Sequence, residues 1–242
     1  MGKYDLHVLY EDNHLLVVNK PAGLLVQGDK TGDRTLIDLC KDYVKEKYNK
    51  PGAVFMGLVH RLDRPVSGAV VLAKTSKALE RMNRLFRENK VQKTYWAIVK
   101  KHPPQKRDTL THWLVKDEQR NVTTAHERHV EGGKKAVLHY RVLGKLNEHF
   151  LLEVKPVTGR PHQIRVQLAS MGCPIRGDIK YGFPKPNQKA DINLHARKLY
   201  FVHPVKKEGF DVTAHVPESD FLDQFLTLEP QKISDKKIDR LL

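Results

Sequence analysis

Cysteine is scarce in this 242-residue chain, which contains only Cys40 and Cys173. The two lie far apart and neither belongs to a C-x-x-C pair, so nothing indicates a disulfide framework or a thiolate metal site. The 13 histidines also lack the spacing of known zinc ligand sets, and we expect no metal site. Because unpaired cysteines are typical of reducing compartments, we expect the protein to lie in the cytoplasm.

Long apolar segments and nucleotide-binding motifs are also missing. The first residues, MGKYDLHVLYEDN, lack the apolar run and cleavage site of a secretory signal. The longest apolar stretch, Ala69 to Ala73, is far too short to span a bilayer. There is no GxxxxGK(S/T) phosphate loop, no GxGxxG after a strand and no HExxH. We therefore expect no membrane association and no cofactor.

Acidic residues are outnumbered by basic ones. The 28 Asp and Glu against 43 Lys and Arg give a formal net charge of +15 and a pI near 9.7. Such a surplus fits a polyanionic partner such as nucleic acid, because Lys and Arg displace condensed counterions from phosphates. On charge alone, a basic protein that binds no nucleic acid is the alternative. No long heptad repeat or exposed apolar strip occurs, so we expect a monomer.

The hydrophobic patterns predict one α+β domain over residues 1–228, followed by a polar tail at 229–242. LHVLY and HLLVVNK read as a hairpin, and LLVQGDKTGD as a strand followed by a loop. Further strands are predicted at GAVVLAK, KTYWAIVK, TLTHWLV, NVTTA, AVLHYRVL, FLLEVKPV and NLHARKLYFVHP. GDIKYGFPKPNQK, rich in Gly and Pro, is predicted to be a loop.

Three segments have helical patterns, and VPESDFLDQFLTL reads as a further short helix. The first is capped by Thr35, and the second extends over residues 76–89. In the third, Pro161 lies in the first turn, Thr158 is near the cap position, and the helix continues to about Met171.

Three islands carry more polar residues than such elements normally need. In HRLDRPVSG (60–68), Asp63 lies between Arg61 and Arg64, whose guanidinium groups favour an ionised carboxylate. In TGRPHQIRVQLASMG (158–172), a helix brings Arg165 near His162 and Gln163. Both islands also have an explanation that involves no function. The first could be a loop with surface salt bridges, and the second an amphipathic helix with a basic face.

The third island is KTYWAIV, in which Tyr95 and Trp96 point to opposite sides of a strand. One of the two rings could provide a stacking platform for a nucleic-acid base. The alternative is that both are aromatic residues of the core.

The motifs HRLDRPVSGAVVLAKT, KTYWAIV, KPVTGRPHQIRVQLASMGCPIRGDIKYG and LHARKLYFVHP resemble, in this order, those of the RluA-type RNA pseudouridine synthases. The resemblance extends from about Leu6 to Leu226. It implies a mixed, largely antiparallel β-sheet flanked by helices, with a basic active-site cleft. It also implies isomerisation of uridine to pseudouridine in structured RNA after the target base is flipped out. That reaction transfers no group and needs no metal, flavin or nucleotide.

The resemblance assigns roles residue by residue. It makes Asp63 the catalytic aspartate, Tyr95 the tyrosine that packs on the uracil and Arg165 the arginine that pairs with Asp63. Arg61 matches the arginine that helps displace the base. The rest of the predicted substrate-binding set consists of the neighbouring motif residues His60, Arg64, Arg160, His162 and Gln163.

Other basic residues would track RNA phosphates. The candidates are Lys74, Arg81, Arg84, Arg87 and Lys93. For any single one of them, a solvated helix face is an equally good explanation.

Two departures from the family pattern bear on function. Val66 stands where the family commonly has threonine, which removes a hydroxyl close to the catalytic loop. Many relatives carry an N-terminal S4-type RNA-binding domain, whereas here the catalytic pattern begins almost at Met1. Substrate choice is therefore expected to come from the catalytic domain itself, with tRNA and large-subunit rRNA both open.

Two functions from other classes stay open. A non-catalytic RNA-binding protein on this scaffold would need the basic surface but no lone carboxylate in a cationic pocket. A nucleic-acid glycosylase would need a carboxylate beside a flipped base, but it would release that base. Within the synthase class, attack of Asp63 on the sugar, attack on the ring and base elimination all use the same residue types.

Overall fold

A mixed sheet of eleven strands runs through the computed structural model, which describes residues 6–29, 31–189, 191–217 and 221–228. Its strands are β1 (His7–Glu11), β2 (Leu15–Lys20), β3 (Gly57–Leu58), β4 (Ser67–Ala73), β5 (Gln92–Val99), β6 (Arg107–Asp117), β7 (Val122–His126), β8 (Lys134–Leu146), β9 (His149–Pro156), β10 (Leu194–Val202) and β11 (Gly209–Thr213). The order across the sheet is β1-β2-β4-β10-β5-β9-β8-β6-β7, with β3 beside β4 and β11 beside β10. Among these strands β4 and β10 pair in parallel and the other pairs are antiparallel, so the predicted α+β fold is confirmed.

In the part of the chain that the structure describes, three α-helices accompany the sheet: α1 (Leu36–Lys47), α2 (Ser76–Arg87) and α3 (Gln163–Ser170). Thr35 caps α1 as predicted, in a capping box in which Thr35 and Asp38 exchange side-chain and backbone hydrogen bonds. Thr75 caps α2 by accepting from the N–H of Ala78. No helix in the described ranges is long and apolar enough to cross a membrane.

The sheet is covered on both faces at β4, all seven residues of which are buried. Alternate residues of β4 belong to two apolar clusters because successive side chains point to opposite faces. One cluster contains the buried face of α1 together with Ile164 and Leu168 of α3. The other contains Ala78 and Met82 of α2.

Several predicted boundaries were wrong for identifiable reasons. Residues 24–28 form no strand, because the carbonyls of Leu25 and Val26 accept hydrogen bonds from the first N–H groups of α1. The third helix begins two residues after Pro161, since the Gln163 side chain holds the preceding residues in a turn by accepting from the Thr158 hydroxyl and the Arg160 N–H.

The remaining differences concern short elements. The predicted loop GDIKYGFPKPNQK contains a 3-10 turn at Ile179–Tyr181. The predicted helix VPESDFLDQFLTL contains a 3-10 helix at Asp223–Leu228, and its residues 218–220 lie outside the described residues. Strands β3 and β11 had no sequence pattern that predicted them. The polar tail at 229–242 lies outside the described residues.

Gly68 stands where β4 meets β10. Its φ of +119° lies in the region that favours glycine, and an added Cβ would lie 2.4 Å from the Ala196 carbonyl oxygen. Beside it, the buried Ser67 hydroxyl and His195 Nδ1 are 2.9 Å apart and join the same two strands. Since the loop that carries Asp63 leads directly into β4, this close contact fixes where the loop enters the sheet.

Replacing Gly68 by Ala should lower the free energy of unfolding by about 3 kcal/mol, because the methyl group meets backbone atoms and φ is unfavourable for an L residue. Urea denaturation measures the change. Gly52→Ala is the matched control, since a Cβ there meets nothing within 4 Å. Equal stability of the two variants would mean that the contact between β4 and β10 tolerates a side chain.

Glu11 fastens β1 to α1 and to the end of β4. Its carboxylate accepts hydrogen bonds from Lys47 (2.7 Å), Lys74 (2.6 Å), Tyr43 (2.9 Å) and Tyr48 (2.9 Å). Burial acts to raise the pKa of Glu11, but these bonds lower it to about 2. Lys74, predicted to contact RNA phosphate, is thus committed to an acid inside the protein.

Lowering the pH should reveal how much the ionised Glu11 carboxylate contributes to the free energy of unfolding. Glu11 has a lower pKa when folded than its ordinary 4.5, so the stability it contributes is complete above pH 4.5 and is lost as the pH falls toward about 2. The free energy of unfolding of the parent should therefore decline more steeply over this window than that of Glu11→Gln. Parallel pH curves for the two proteins would contradict the assignment.

Candidate active site

The loop that carries Asp63 connects β3 to β4 and is fastened at its base. Lys20, whose side chain is fully buried at the end of β2, donates from Nζ to the carbonyls of Pro21 (2.9 Å), Leu24 (2.8 Å) and Arg64 (3.3 Å). The N–H of Gly23 also donates to the Arg64 carbonyl (2.8 Å). Burial lowers the pKa of Lys20 to about 7, an effect that Asp63 partly opposes. The segment after β2 is therefore tied to the residue next to Asp63.

Arg165 joins Asp63 to a second, buried carboxylate. Its Nε and Nη2 donate to the two oxygens of Asp178 at 2.7 and 2.9 Å, and its Nη1 donates to Asp63 Oδ2 at 2.9 Å. Burial alone would lower the pKa of Arg165, but the bonds to Asp178 and Asp63 raise it above its ordinary value. No described residue donates a hydrogen bond to Asp63 Oδ1. One carboxylate oxygen is held and the other is available.

His162 and Tyr181 support the same carboxylate from another side. His162 Nε2 is 3.8 Å from Asp63 Oδ2, and its Nδ1 is 2.7 Å from the Tyr181 hydroxyl. The Tyr181 oxygen accepts from the Thr123 N–H at 2.9 Å, and the Tyr181 ring lies 5.0 Å from the Arg165 guanidinium carbon. Burial lowers the pKa of His162, an effect that Asp63 partly opposes, so the neutral ring is favoured.

Asp63 and Arg165 open into a cavity of about 320 Å³, here called the Asp63 cavity. Tyr95, Phe86, Val66 and Leu194 provide apolar surface in its wall. Burial raises the pKa of the Tyr95 hydroxyl far above its usual value, with a further rise from Asp63, so the phenol stays protonated. Trp96, the next residue, packs in the core on the opposite side of β5. The site thus combines an available carboxylate oxygen with a flat aromatic surface.

Eight of the nine predicted site residues line the Asp63 cavity: His60, Arg61, Asp63, Tyr95, Arg160, His162, Gln163 and Arg165. Arg64 does not, because it donates to the Gly23 carbonyl and to Asp33 and faces the neighbouring cavities. Arg61 is exposed and forms no hydrogen bond or ion pair with any residue the structure describes.

His60 and Gln163 are two of the eight whose polar side-chain atoms are engaged away from Asp63. His60 Nε2 accepts from the N–H of Val71 at 3.1 Å, its ring stacks on Phe86, and burial lowers its pKa to about 3. The Gln163 side chain binds Thr158 and Arg160, and it also donates to the Val137 carbonyl. Their geometry is that of residues that shape the cavity wall.

Asp178 and Tyr181 were not among the predicted site residues. They lie in the segment GDIKYG, which the sequence predicts to be part of a loop. The sequence signal that could have pointed to them is an acid and an aromatic residue between two glycines, Gly177 and Gly182. Both glycines adopt positive φ angles in the structure. Among the predicted phosphate contacts, Lys93 lines the Asp63 cavity, whereas Arg81, Arg84 and Arg87 are exposed on α2. No three His, Cys, Asp or Glu side chains in the described part of the chain are grouped to hold a metal.

Comparison with known proteins identifies the class of enzyme. The RNA pseudouridylate synthase family matches residues 14–170. Ribosomal large subunit pseudouridine synthase C of Vibrio cholerae is 35% identical over 226 residues, covering 91% of this chain and 68% of that protein. Ribosomal large subunit pseudouridine synthase D of Zymomonas mobilis is 34% identical over 231 residues, with 88% and 70% covered. The structure of human RNA pseudouridylate synthase domain containing 4 aligns with a TM-score of 0.75, at 28% identity over 92% of each chain.

The chain therefore belongs to the RNA pseudouridylate synthase family and is an isomerase, as its resemblance to the RluA-type enzymes predicted.

Replacing Asp178 by Asn should lower the free energy of unfolding by about 3 kcal/mol, because Arg165 then keeps a buried charge with a weakened partner. Pseudouridine formation should fall on the order of 100-fold, since Arg165 is no longer aimed at Asp63. Both are measured at a temperature where the variant is folded. Asp42→Asn, at an exposed acid that pairs with Arg34 on the surface, should alter neither. An Asp178→Asn protein with unchanged stability and rate would contradict the shared role of Arg165.

Proposed function

We propose that this enzyme isomerises a specific uridine to pseudouridine in structured RNA, with Asp63 as the catalytic carboxylate. The observation that carries the proposal is the Asp63 carboxylate, held through Oδ2 by Arg165 and free at Oδ1, beside the Tyr95 ring in one cavity. A carboxylate with one oxygen fixed and one available suits a nucleophile or a group that assists departure of the base.

The reaction sets the demands on the site. The bond from ribose C1′ to uracil N1 breaks, the base rotates, and C1′ bonds to C5. The C5 proton leaves and N1 gains a proton, so no redox partner is required. Attack of Asp63 on the sugar, attack on the ring and base elimination would all begin from Oδ1.

Entry of the target requires that its base leave the stack. Asp63 is recessed in a cavity, and an intact helix could not bring a uridine to it, so the nucleotide must be extruded. Tyr95 would pack on the uracil, and the exposed, unpaired Arg61 at the cavity could occupy the space that the base vacates. Arg165 would hold the carboxylate in place, with His162 Nε2 3.8 Å from the same oxygen.

Large-subunit rRNA is the substrate that we favour over tRNA, because the printed names of the Vibrio cholerae and Zymomonas mobilis relatives refer to the ribosomal large subunit. The net charge of +15 suits either RNA. We further propose that residues 1–228 are the catalytic unit, that the enzyme is a monomer, and that it works in the cytoplasm, in keeping with its free cysteines.

The test uses transcripts of large-subunit rRNA and of tRNA tritiated at uracil C5. Because pseudouridine formation breaks that C–H bond, released tritium reports the reaction. The parent and Asp42→Asn should release tritium from the rRNA, and Asp63→Asn should release none while still binding it. Release of tritium from tRNA alone would mean that the substrate is tRNA and not large-subunit rRNA.

Two outcomes would favour the competing functions. Free uracil in the products would identify a glycosylase. Tight, salt-sensitive RNA binding by parent and Asp63→Asn alike, with no tritium release from either RNA, would identify a non-catalytic RNA-binding protein.

A further inference from the structure

Lys93, like the exposed Arg61, is a cationic residue of the Asp63 cavity whose charge has no partner among the described residues. It is half-buried on β5 and lines the cavity together with Tyr95. Its ammonium group forms no hydrogen bond or ion pair with any residue in the described ranges. Charged groups that are withdrawn from water are normally paired, so an unpaired ammonium in a cavity wall indicates an anion supplied from outside.

Among the described residues, no acid is close enough to Lys93 to raise its pKa or to form an ion pair with it. The His60 ring is close enough for the Lys93 charge to lower its pKa, and that ring is neutral. Across the cavity, a Cβ built on Gly159 would lie 3.8 Å from Lys93 Nζ, which places the ammonium beside the backbone that precedes Arg160. Asp63, the acid that lines the same cavity, is already paired with Arg165. Burial lowers the pKa of Lys93, as expected for an ammonium without a partner.

The position of Lys93 along β5 suggests which anion it meets. Lys93 and Tyr95 are two residues apart on one strand and face the same cavity, which separates their Cα atoms by about 6–7 Å. Uracil and ribose are both neutral, so an extruded uridine that packs on Tyr95 brings no negative charge of its own to Lys93. The next anionic group of an RNA chain is then the phosphodiester attached to that ribose.

The other cations of the cavity fit this role less well. Arg160 Nε is bonded to the Lys135 carbonyl at 3.2 Å, and Arg165 is shared between two carboxylates. Arg61 is exposed and suits the space left by the base.

We propose that Lys93 binds a phosphodiester flanking the flipped uridine, and so holds the target nucleotide with its uracil on Tyr95. The inference rests on the proposed function. It makes Lys93 a positioning residue that acts on binding of the extruded nucleotide, distinct from the cations that contact the remainder of the RNA.

The test pairs a charge removed from the protein with a charge removed from the RNA. The probes are a short synthetic RNA containing the uridine identified by tritium release, and two versions with a neutral methylphosphonate on the 5′ or the 3′ side of that uridine. The proteins are the parent, Lys93→Gln, Lys93→Arg and the control Lys77→Gln, which removes the same charge from an exposed site on α2. Melting temperatures verify folding, and Lys93→Met replaces the Gln variant if that protein is unstable.

Lys93→Gln should bind the unmodified RNA about 10-fold more weakly and lower the slope of log K against log salt by about 1. One of the two methylphosphonates should weaken RNA binding by the parent and by Lys77→Gln by about the factor that Lys93→Gln loses on unmodified RNA. The same methylphosphonate should not weaken binding by Lys93→Gln any further. Lys93→Arg should retain most of the affinity, since a guanidinium also binds phosphate. The single-turnover rate at saturating RNA should change less than the affinity.

If each methylphosphonate weakens RNA binding by the same factor in the parent and in Lys93→Gln, Lys93 does not bind a flanking phosphate. With a parent that is still active, this result would overturn the role of Lys93 and leave the proposed function standing. A fall in the saturating rate with no phosphate coupling would assign Lys93 to the uracil instead and would equally overturn it. Failure of the parent to release tritium from any RNA would overturn the proposed function, and this inference with it.

Discussion

The three-way contact of Arg165 is the constraint on which the site depends. A guanidinium is planar and has its donors in a fixed fork, so two N–H groups bound to Asp178 determine where the remaining donor points. That donor reaches Asp63 Oδ2, and the other oxygen of Asp63 accepts no hydrogen bond from any described residue. Asp178 is buried and satisfied by this arginine, so it acts as the anchor from which Asp63 is oriented. The Tyr181 ring beneath the guanidinium completes the support.

The sheet brings this arrangement together from distant parts of the chain. Parallel pairing of β4 with β10 sets the Asp63 loop beside β5, which carries Tyr95 and Lys93. The same pairing requires a residue without a side chain at Gly68, because the two backbones approach so closely. Helix α3 is buried on nearly all sides, which explains how its Arg165 reaches the cavity from within the protein.

Positive charge in the site divides into two kinds. Arg165 and Lys20 are buried and fully engaged with carboxylates or carbonyls, so their role is to hold the protein in one geometry. Arg61 and Lys93 line the same cavity without partners among the described residues. A polyanion that enters the cavity can pair with the second kind without displacing an existing partner, so one cavity can hold the carboxylate that we propose to be catalytic and still attract RNA.

The sequence by itself determined the reaction class and the α+β architecture, because each rests on local patterns and motifs. Alternation along AVLHYRVL and the Thr35 cap are readable within a few residues, and HRLD with the ordered motifs pointed to Asp63, Tyr95, Arg61 and Arg165 as candidates. Only the tertiary structure decided which polar groups are already occupied. Three such pairings join residues that are distant in sequence. Arg64 binds Asp33, Lys74 binds Glu11, and Arg165 binds Asp178. Such pairings are set by how the strands assemble, so no local pattern contains them.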